Sequence, residues 1–162
     1  MLPELTRMEW IRVKAVRERG PKAAELPLDS PAGVAGFIRA LQRKFGSLDR
    51  EHFWRVDLDA RHKALSLETV SIGTATASLV HPREVFKGAL LMGAVGIIVA
   101  HNHPSGETEP SAEDLKTTER LVKAGELLGV PVLDHLILGL RRRVLSLRSV
   151  KPEMFKAYAV PC

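Results

Sequence analysis

The chain has 162 residues, of which 45% are hydrophobic and 27% are charged, as is typical of one soluble globular domain with a real core. It carries 24 Lys and Arg against 19 Asp and Glu, and the net charge of +5 is compatible with a polyanionic partner without requiring one. A single cysteine excludes an internal disulfide scaffold and every multi-cysteine zinc site, and it indicates a reducing compartment.

No segment predicts secretion or membrane insertion. The N-terminus has no apolar stretch of signal-peptide length. The longest apolar run, residues 88–100, is shorter than the ~20 residues that span a bilayer. We therefore expect a cytoplasmic protein without a membrane partner.

The first predicted elements are a helix and a β-hairpin. Ser30 and Pro31 are typical of an N-cap and a first helical residue, and Gly46 predicts the end of the helix. Between them, apolar residues recur at helical spacing: Val34, Ile38, Leu41 and Phe45. Residues 51–58 alternate apolar and polar side chains, which predicts a strand with one buried face. After a short turn, residues 64–72 predict the second strand of the hairpin.

The middle of the chain predicts a helix, a buried strand and another helix. Residues 81–93 open with a His-Pro pair and end at a glycine, which is typical of a helix. Residues 95–100 are continuously apolar, which predicts a central strand covered on both faces. Residues 101–111 are rich in turn formers and predict a loop, after which Ser111 caps a third helix that ends at Gly129.

Two further strands are predicted at residues 130–138 and 144–147. Helices interleaved with the strands of a mixed β-sheet indicate an α/β protein with flanking helices.

Residues able to carry chemistry gather where the buried strand ends. His101 and His103 are two residues apart, so on an extended backbone they point to the same side, and Ser111 and Asp114 follow at the start of the next helix. Two imidazoles and one carboxylate are a common ligand set of a catalytic divalent metal. Metal-assisted hydrolysis also needs a carboxylate that takes a proton from water. The acidic candidates, among which spacing does not choose, are Glu51, Glu68, Glu84, Glu107 and Glu109.

Each part of this pattern also has another interpretation. A His-x-His pair occurs in strands without a metal, and Ser111 with Asp114 alone is a capping box. With Asn102 between two histidines, residues 101–103 read H-N-H in one-letter code, which is also the name of a nuclease class. That class needs widely spaced histidines, which this segment does not have. Zinc deaminases need a Cys-x-x-Cys pair, which a single cysteine excludes.

The four positions together are more specific than any part. His101, His103, Ser111 and Asp114 fit His-x-His-x(7)-Ser-x-x-Asp, which is the JAMM motif of the JAB/MPN metalloprotease superfamily. The surrounding sequence, from about residue 30 to 149, resembles the RadC family of bacterial proteins. The segments that carry this resemblance are REHFWRVDLDARHKAL, GTATASLVHPREVFKGAL, AHNHPSGETEPSAEDLKTTERLVKAG and LLGVPVLDHLILG.

The resemblance implies a cytidine-deaminase-like α/β fold of three layers with one zinc ion per chain. It implies that His101, His103 and Asp114 are the zinc ligands and that Ser111 hydrogen-bonds the oxyanion that develops during hydrolysis. It further implies that Glu51 is the general base that activates water. The activity expected of such a protein is the cleavage of a peptide or isopeptide bond in a protein or peptide substrate.

The resemblance also divides the chain into three segments. We expect a basic N-terminal extension at 1–29, a JAB/MPN metalloprotease-like domain at 30–149 and a C-terminal tail at 150–162. Longer members of the RadC family carry a DNA-binding helix-hairpin-helix module before this domain. The first segment lacks the glycine-containing hairpin of that module, so the chain resembles a short form, and a role in DNA repair is less favoured.

Two other groups of residues have both a structural and a functional interpretation. The adjacent Asp134 and His135 either orient metal ligands or form a satisfied buried pair. The basic run 141–143 is either a solvated turn or, with Arg148 and Lys151, a weak phosphate-contacting patch.

Two functions therefore remain open. One is a zinc-dependent hydrolase, which the intact ligand set favours. The other is a DNA-associated accessory protein with a structural or inactive metal site, which the positive net charge favours. The oligomeric state is not fixed by the sequence, and a homodimer is compatible with it.

Overall fold

The computed structural model describes residues 30–45, 50–73, 80–140 and 143–155, with the backbone alone for 41–45. The elements in chain order are α1 (Pro31–Phe45), β1 (His52–Leu58), β2 (Ala64–Ile72), α2 (Pro82–Met92), β3 (Gly96–Asn102), α3 (Ala112–Leu128), β4 (Val132–Leu138), β5 (Val144–Ser146), α4 (Leu147–Val150) and a 3-10 helix (Pro152–Phe155). The predicted order of helices and strands is confirmed. The last two short helices were not predicted.

The five strands form one mixed sheet in the order β2-β1-β3-β4-β5. β3 pairs parallel with β4, and the other neighbouring strands pair antiparallel. All seven residues of β3 are buried. The predicted central strand and the α/β class are therefore confirmed.

Helices cover both faces of the sheet. On one face, the sheet packs against α2 and α3 through side chains such as Phe86 and Leu121. On the other face, Val34 and Ile38 of α1 pack against Trp54 and its neighbours. Helix, sheet and helix make three layers, as the resemblance implied.

Helix ends lie where the sequence predicted them. The Oγ of Ser30 accepts a hydrogen bond of 3.1 Å from the backbone N–H three residues on, and the Nδ1 of His81 accepts one of 3.2 Å at the start of α2. Gly93 and Gly129 end α2 and α3 in the left-handed conformation, which glycine adopts without strain. The predicted end at Gly46 lies outside the described residues.

The prediction of one buried face for β1 is wrong, because its polar residues are buried too. Arg55 and Asp57 are 1% and 0% exposed. The Arg55 guanidinium pairs with Asp57 at 2.7 Å and with Glu68 at 2.6 Å, and it donates to the carbonyl of Val85 at 2.7 Å. Arg55 and Asp57 satisfy each other's charge beneath α2, and the exposed Glu68 gives Arg55 a second negative partner. Alternation alone does not reveal this arrangement.

Several strand boundaries also differ from the predictions by one or two residues. β3 continues through Asn102, so His101 lies in the strand and not in the loop. The last strand is shorter than predicted because α4 begins at Leu147. Phe155, in the 3-10 helix, is buried in the core, so the core continues beyond residue 149.

Residues 1–29 and 156–162, which make up the expected extension and most of the expected tail, lie outside the described residues. Among the residues that the structure describes, no helix is both long and apolar enough to cross a membrane.

Candidate metal centre

The end of β3 and the first turn of α3 bring three side chains together. The Nε2 atoms of His101 and His103 lie 2.9 Å apart. Asp114 places Oδ1 at 3.2 Å from the Nε2 of His101 and Oδ2 at 3.4 Å from the Nε2 of His103. One ligand atom from each residue lies within 4.8 Å of the others, so His101, His103 and Asp114, here called the metal group, could hold a metal ion.

The distances between the ligand atoms of this group, and the electron pairs that converge between them, suit a divalent cation. Tetrahedral zinc with N and O ligands at ~2.0–2.1 Å separates those ligands by about 3.3 Å, which is close to the three distances here. The Nδ1 of His103 faces the carbonyl of Glu107 at 3.1 Å, and a carbonyl can only accept. Its Nε2 is therefore left with an electron pair directed at His101 and Asp114. Imidazole nitrogens and carboxylate oxygens whose electron pairs converge in this way repel one another until a proton or a cation lies between them.

The charges of the group are strongly coupled. Burial disfavours the ionised Asp114 carboxyl, but the adjacent imidazoles of His101 and His103 and the hydrogen bond from Ser111 hold its pKa well below the usual range. The hydrogen bond to Asp114 raises the pKa of His103 against the opposing effect of burial, and the charge of Glu51 adds to the increase. Without a metal, a shared proton thus stabilises the group, and a bound metal would displace that proton.

Ser111 lies beside Asp114 in an exposed capping box. Its Oγ and its backbone N–H both donate to the Oδ2 of Asp114 at 2.7 Å, and its Oγ accepts from the Asp114 N–H at 3.1 Å. The structural interpretation of this pair is confirmed. The role of Ser111 toward an oxyanion stays a prediction.

Glu51 precedes β1 next to the histidines and is not one of the three converging residues. β1 and β3 pair antiparallel with Phe53 opposite His101, and extending this register by two residues puts Glu51 opposite His103. The backbone carbonyl of Glu51 accepts from Gly73 at 2.7 Å, and the residue is half-buried. Its charge is close enough to contribute to the raised pKa of His103.

Three of the rival carboxylates form ion pairs, and one of them, Glu107, pairs with Arg143. Glu68 pairs with the buried Arg55 at 2.6 Å, and Glu84 pairs with Lys87 at 2.7 Å on α2. The contacts of Glu68 and Glu84 lie within the β1–β2 hairpin and the helix above it.

Asn102 is a site residue that the sequence analysis missed. Its side chain is 2% exposed, its Oδ1 accepts from the N–H of His52 at 2.8 Å, and its Nδ2 donates to the carbonyl of Arg50 at 2.9 Å. It therefore holds the backbone on both sides of Glu51. The available signal was an amide in a fully buried strand, because buried polar groups must find partners.

Of the adjacent Asp134 and His135, His135 contacts a proposed metal ligand, whereas Asp134 is a satisfied buried residue. His135 is fully buried, and its Nε2 lies 2.8 Å from the Nδ1 of His101 while its Nδ1 lies 2.6 Å from the Oγ1 of Thr118. Burial holds the pKa of His135 well below its usual value, so the ring is neutral. Asp134 instead accepts from Ser146 at 2.7 Å, away from the metal group. Thr118 was not singled out by the sequence analysis.

Two described arginines of the basic patch are engaged within the chain. Arg143 pairs with Glu107 at 3.0 Å, and Arg148 donates to the carbonyl of Leu133 at 2.9 Å. Residues 141–142 lie outside the described residues. Contact with nucleic acid stays a prediction.

Comparison with known proteins supports the same family. A model of the RadC-like JAB domain matches residues 28–152. A UPF0758 protein of Desulforamulus reducens is 44% identical over an alignment of 145 residues, which covers 86% of this chain and 62% of that protein. UPF0758 proteins of Rubrobacter xylanophilus and Methanosarcina acetivorans are 47% and 50% identical over 69% and 65% of this chain, and over 48% and 44% of their own lengths. The chain thus spans roughly half of the length of these curated relatives. Since the family model covers most of the chain, the chain belongs to the RadC-like JAB domain family.

Proposed function

We propose that this chain is a zinc-dependent hydrolase that cleaves a peptide or isopeptide bond. The observation that carries the proposal is the convergence of His101, His103 and Asp114 at the end of a buried central strand. Two imidazoles and one carboxylate leave a coordination position open, as catalytic zinc sites do and closed structural sites do not. Membership of a JAB domain family supports the same chemistry.

The residues around the group have complementary roles in this proposal. When bound, zinc would supply a Lewis acid that polarises the scissile carbonyl and lowers the pKa of water. Glu51 would take a proton from the attacking water on a carboxylate oxygen and pass it to the leaving nitrogen. Ser111 would turn its Oγ–H from Asp114 toward the carbonyl oxygen as negative charge develops there.

The test is hydrolysis of a peptide library drawn from a bacterial proteome, together with lysine-linked isopeptides, by the zinc-loaded chain. Mass spectrometry would identify new termini. We expect cleavage by the wild type and a loss of at least ~10²-fold in Glu51→Gln, since a general base contributes about 10²–10⁴-fold. Glu51→Gln should still bind zinc.

Glu84→Gln is the matched control, because Glu84 pairs with Lys87 on the surface of α2. It should cleave like the wild type. An inactive wild type, or equal activity in Glu51→Gln, would contradict the proposal. Salt-sensitive DNA binding by a zinc-loaded but inactive chain would favour the accessory role instead.

A further inference from the structure

A line of hydrogen bonds runs behind the metal group from one ligand to another. The Nδ1 of His101 lies 2.8 Å from the Nε2 of His135, whose Nδ1 lies 2.6 Å from the Oγ1 of Thr118. The Thr118 hydroxyl in turn donates to the backbone carbonyl of Asp114 at 2.6 Å. His101, His135 and Thr118 are each at most 1% exposed, so water does not compete for these bonds.

The backbone carbonyl of Asp114, at the end of the line, fixes which atom donates and which accepts in every hydrogen bond of the line. A carbonyl oxygen can only accept, so the single hydroxyl proton of Thr118 points at Asp114 and its Oγ1 must accept from His135. A neutral imidazole has one donor and one acceptor nitrogen, so His135 then donates from Nδ1 and accepts at Nε2. His101 must therefore carry its proton on Nδ1, which leaves the electron pair of its Nε2 directed at His103 and Asp114.

We propose that Thr118 and His135 are positioning residues that hold His101 in the Nδ1–H tautomer and so reserve its Nε2 for the metal. This inference deepens the proposed metal site and rests on it. The opposite direction would place the His101 proton on Nε2, between the ring and the metal position. Proton placement on a ligand through its second nitrogen is the means by which outer residues tune metal sites.

Packing holds the rings while the hydrogen bonds set the protons. Phe53 stacks on His101 with centroids 6.2 Å apart, and it meets His135 edge-on at 5.5 Å. His103 reaches the same outcome by another route, since its Nδ1 faces the backbone carbonyl of Glu107. The two histidine ligands thus differ in what fixes them: a side-chain relay for His101 and a backbone carbonyl for His103.

Thr118→Val tests the relay with little change in volume. Without the hydroxyl, the Nδ1 of His135 loses its acceptor, and its proton can move to Nε2, where it faces His101. We expect zinc affinity to fall about 10–100-fold, the usual loss when an outer-shell partner of a metal ligand is removed. Thr118→Ser keeps the hydroxyl and should restore most of the affinity.

Thr117→Val is the matched control. Thr117 is also buried on α3, at 7% exposure, but its hydroxyl accepts from Arg120 at 3.3 Å and is outside the relay. This variant should bind zinc like the wild type. Competition with a chromophoric chelator would give the zinc affinities, and thermal unfolding would verify that each variant is folded.

A second readout does not need zinc. Long-range ¹H–¹⁵N spectra of the chelator-treated chain at alkaline pH report which nitrogen of His101 carries the proton. We expect Nδ1–H in the wild type and in Thr118→Ser, and Nε2–H or a mixture in Thr118→Val. The same His101 tautomer in all variants, or equal zinc affinity in Thr118→Val and Thr117→Val, would overturn the relay. A wild type that binds no zinc would instead overturn the proposed function, and the tautomers would still decide the relay.

Discussion

Asn102 lies between the two histidines of the metal group, yet its side chain serves the segment that carries Glu51. It accepts from the N–H of His52 and donates to the carbonyl of Arg50, at 2.8 and 2.9 Å. A short segment that precedes a strand is otherwise free to fray. The amide therefore ties the proposed base to the strand that carries the ligands.

Asn102→Ala should separate catalysis from metal binding. We expect kcat to fall by about tenfold or more, because a misplaced base loses the geometry that proton transfer needs. Zinc affinity should stay near that of the wild type, since Asn102 contacts no ligand side chain among the described hydrogen bonds. Parallel loss of zinc would show that Asn102 instead holds the ligands themselves.

The capping role of Ser111 can be measured separately from its proposed role toward the oxyanion. Ser30 is the matched control, because it caps α1 through its Oγ far along the chain from the metal group. We expect Ser111→Ala and Ser30→Ala each to lower the free energy of unfolding by about 1 kcal/mol. With zinc saturating, only Ser111→Ala should also lower kcat, by about 10²–10³-fold. Equal kcat in the two variants would limit Ser111 to capping.

At the scale of elements, much of the fold could be predicted because local rules and the fold agree. The caps at Ser30 and Ser111 and the stops at Gly93 and Gly129 are local signals that need no tertiary contact. The continuous apolar run of β3 by itself predicts that both faces of the strand are buried.

What could not be predicted depends on contacts that are distant in the chain. Arg55 and Asp57 alternate like a solvated face, but Glu68 and the carbonyl of Val85 allow them to be buried. The relay partner Thr118 is 17 residues from His135 and has no motif of its own. The ligand motif was recognisable because its residues are close in sequence, whereas their support comes from other elements.

Alanine substitutions at two glycines should change the stability in opposite directions, because one of the glycines packs against the charges under α2. A Cβ on Gly88 would lie 2.5 Å from the Nη2 of Arg55 and still closer to Glu68, whereas a Cβ on Gly36 in α1 would meet nothing within 4 Å. Gly88→Ala should destabilise by about 1–3 kcal/mol through overpacking. Gly36→Ala should stabilise by roughly 0.5–1 kcal/mol through helix propensity. Urea unfolding would measure both, and equal effects would contradict the packing described for α2 on β1.

At the scale of the whole molecule, the metal group joins elements that are otherwise linked by a long loop. His101 ends the central strand, and Asp114 begins the helix that covers one face of the sheet. A metal that binds the folded chain should therefore stabilise it, since ligands that bind only the native state shift the unfolding equilibrium. The matched relatives are roughly twice as long as the matching region.

The measurement that bears most directly on this account is zinc binding to the chelator-treated chain, by isothermal titration with elemental analysis. We expect about one zinc ion per chain and a loss of at least ~100-fold in affinity in His103→Ala, which removes an imidazole ligand, and in Asp114→Asn, which removes the carboxylate charge. His52→Ala is the control, because His52 stacks on Trp54 and is not one of the converging residues, and it should bind like the wild type. Zinc binding that is absent from the wild type, or unchanged in Asp114→Asn, would contradict the account.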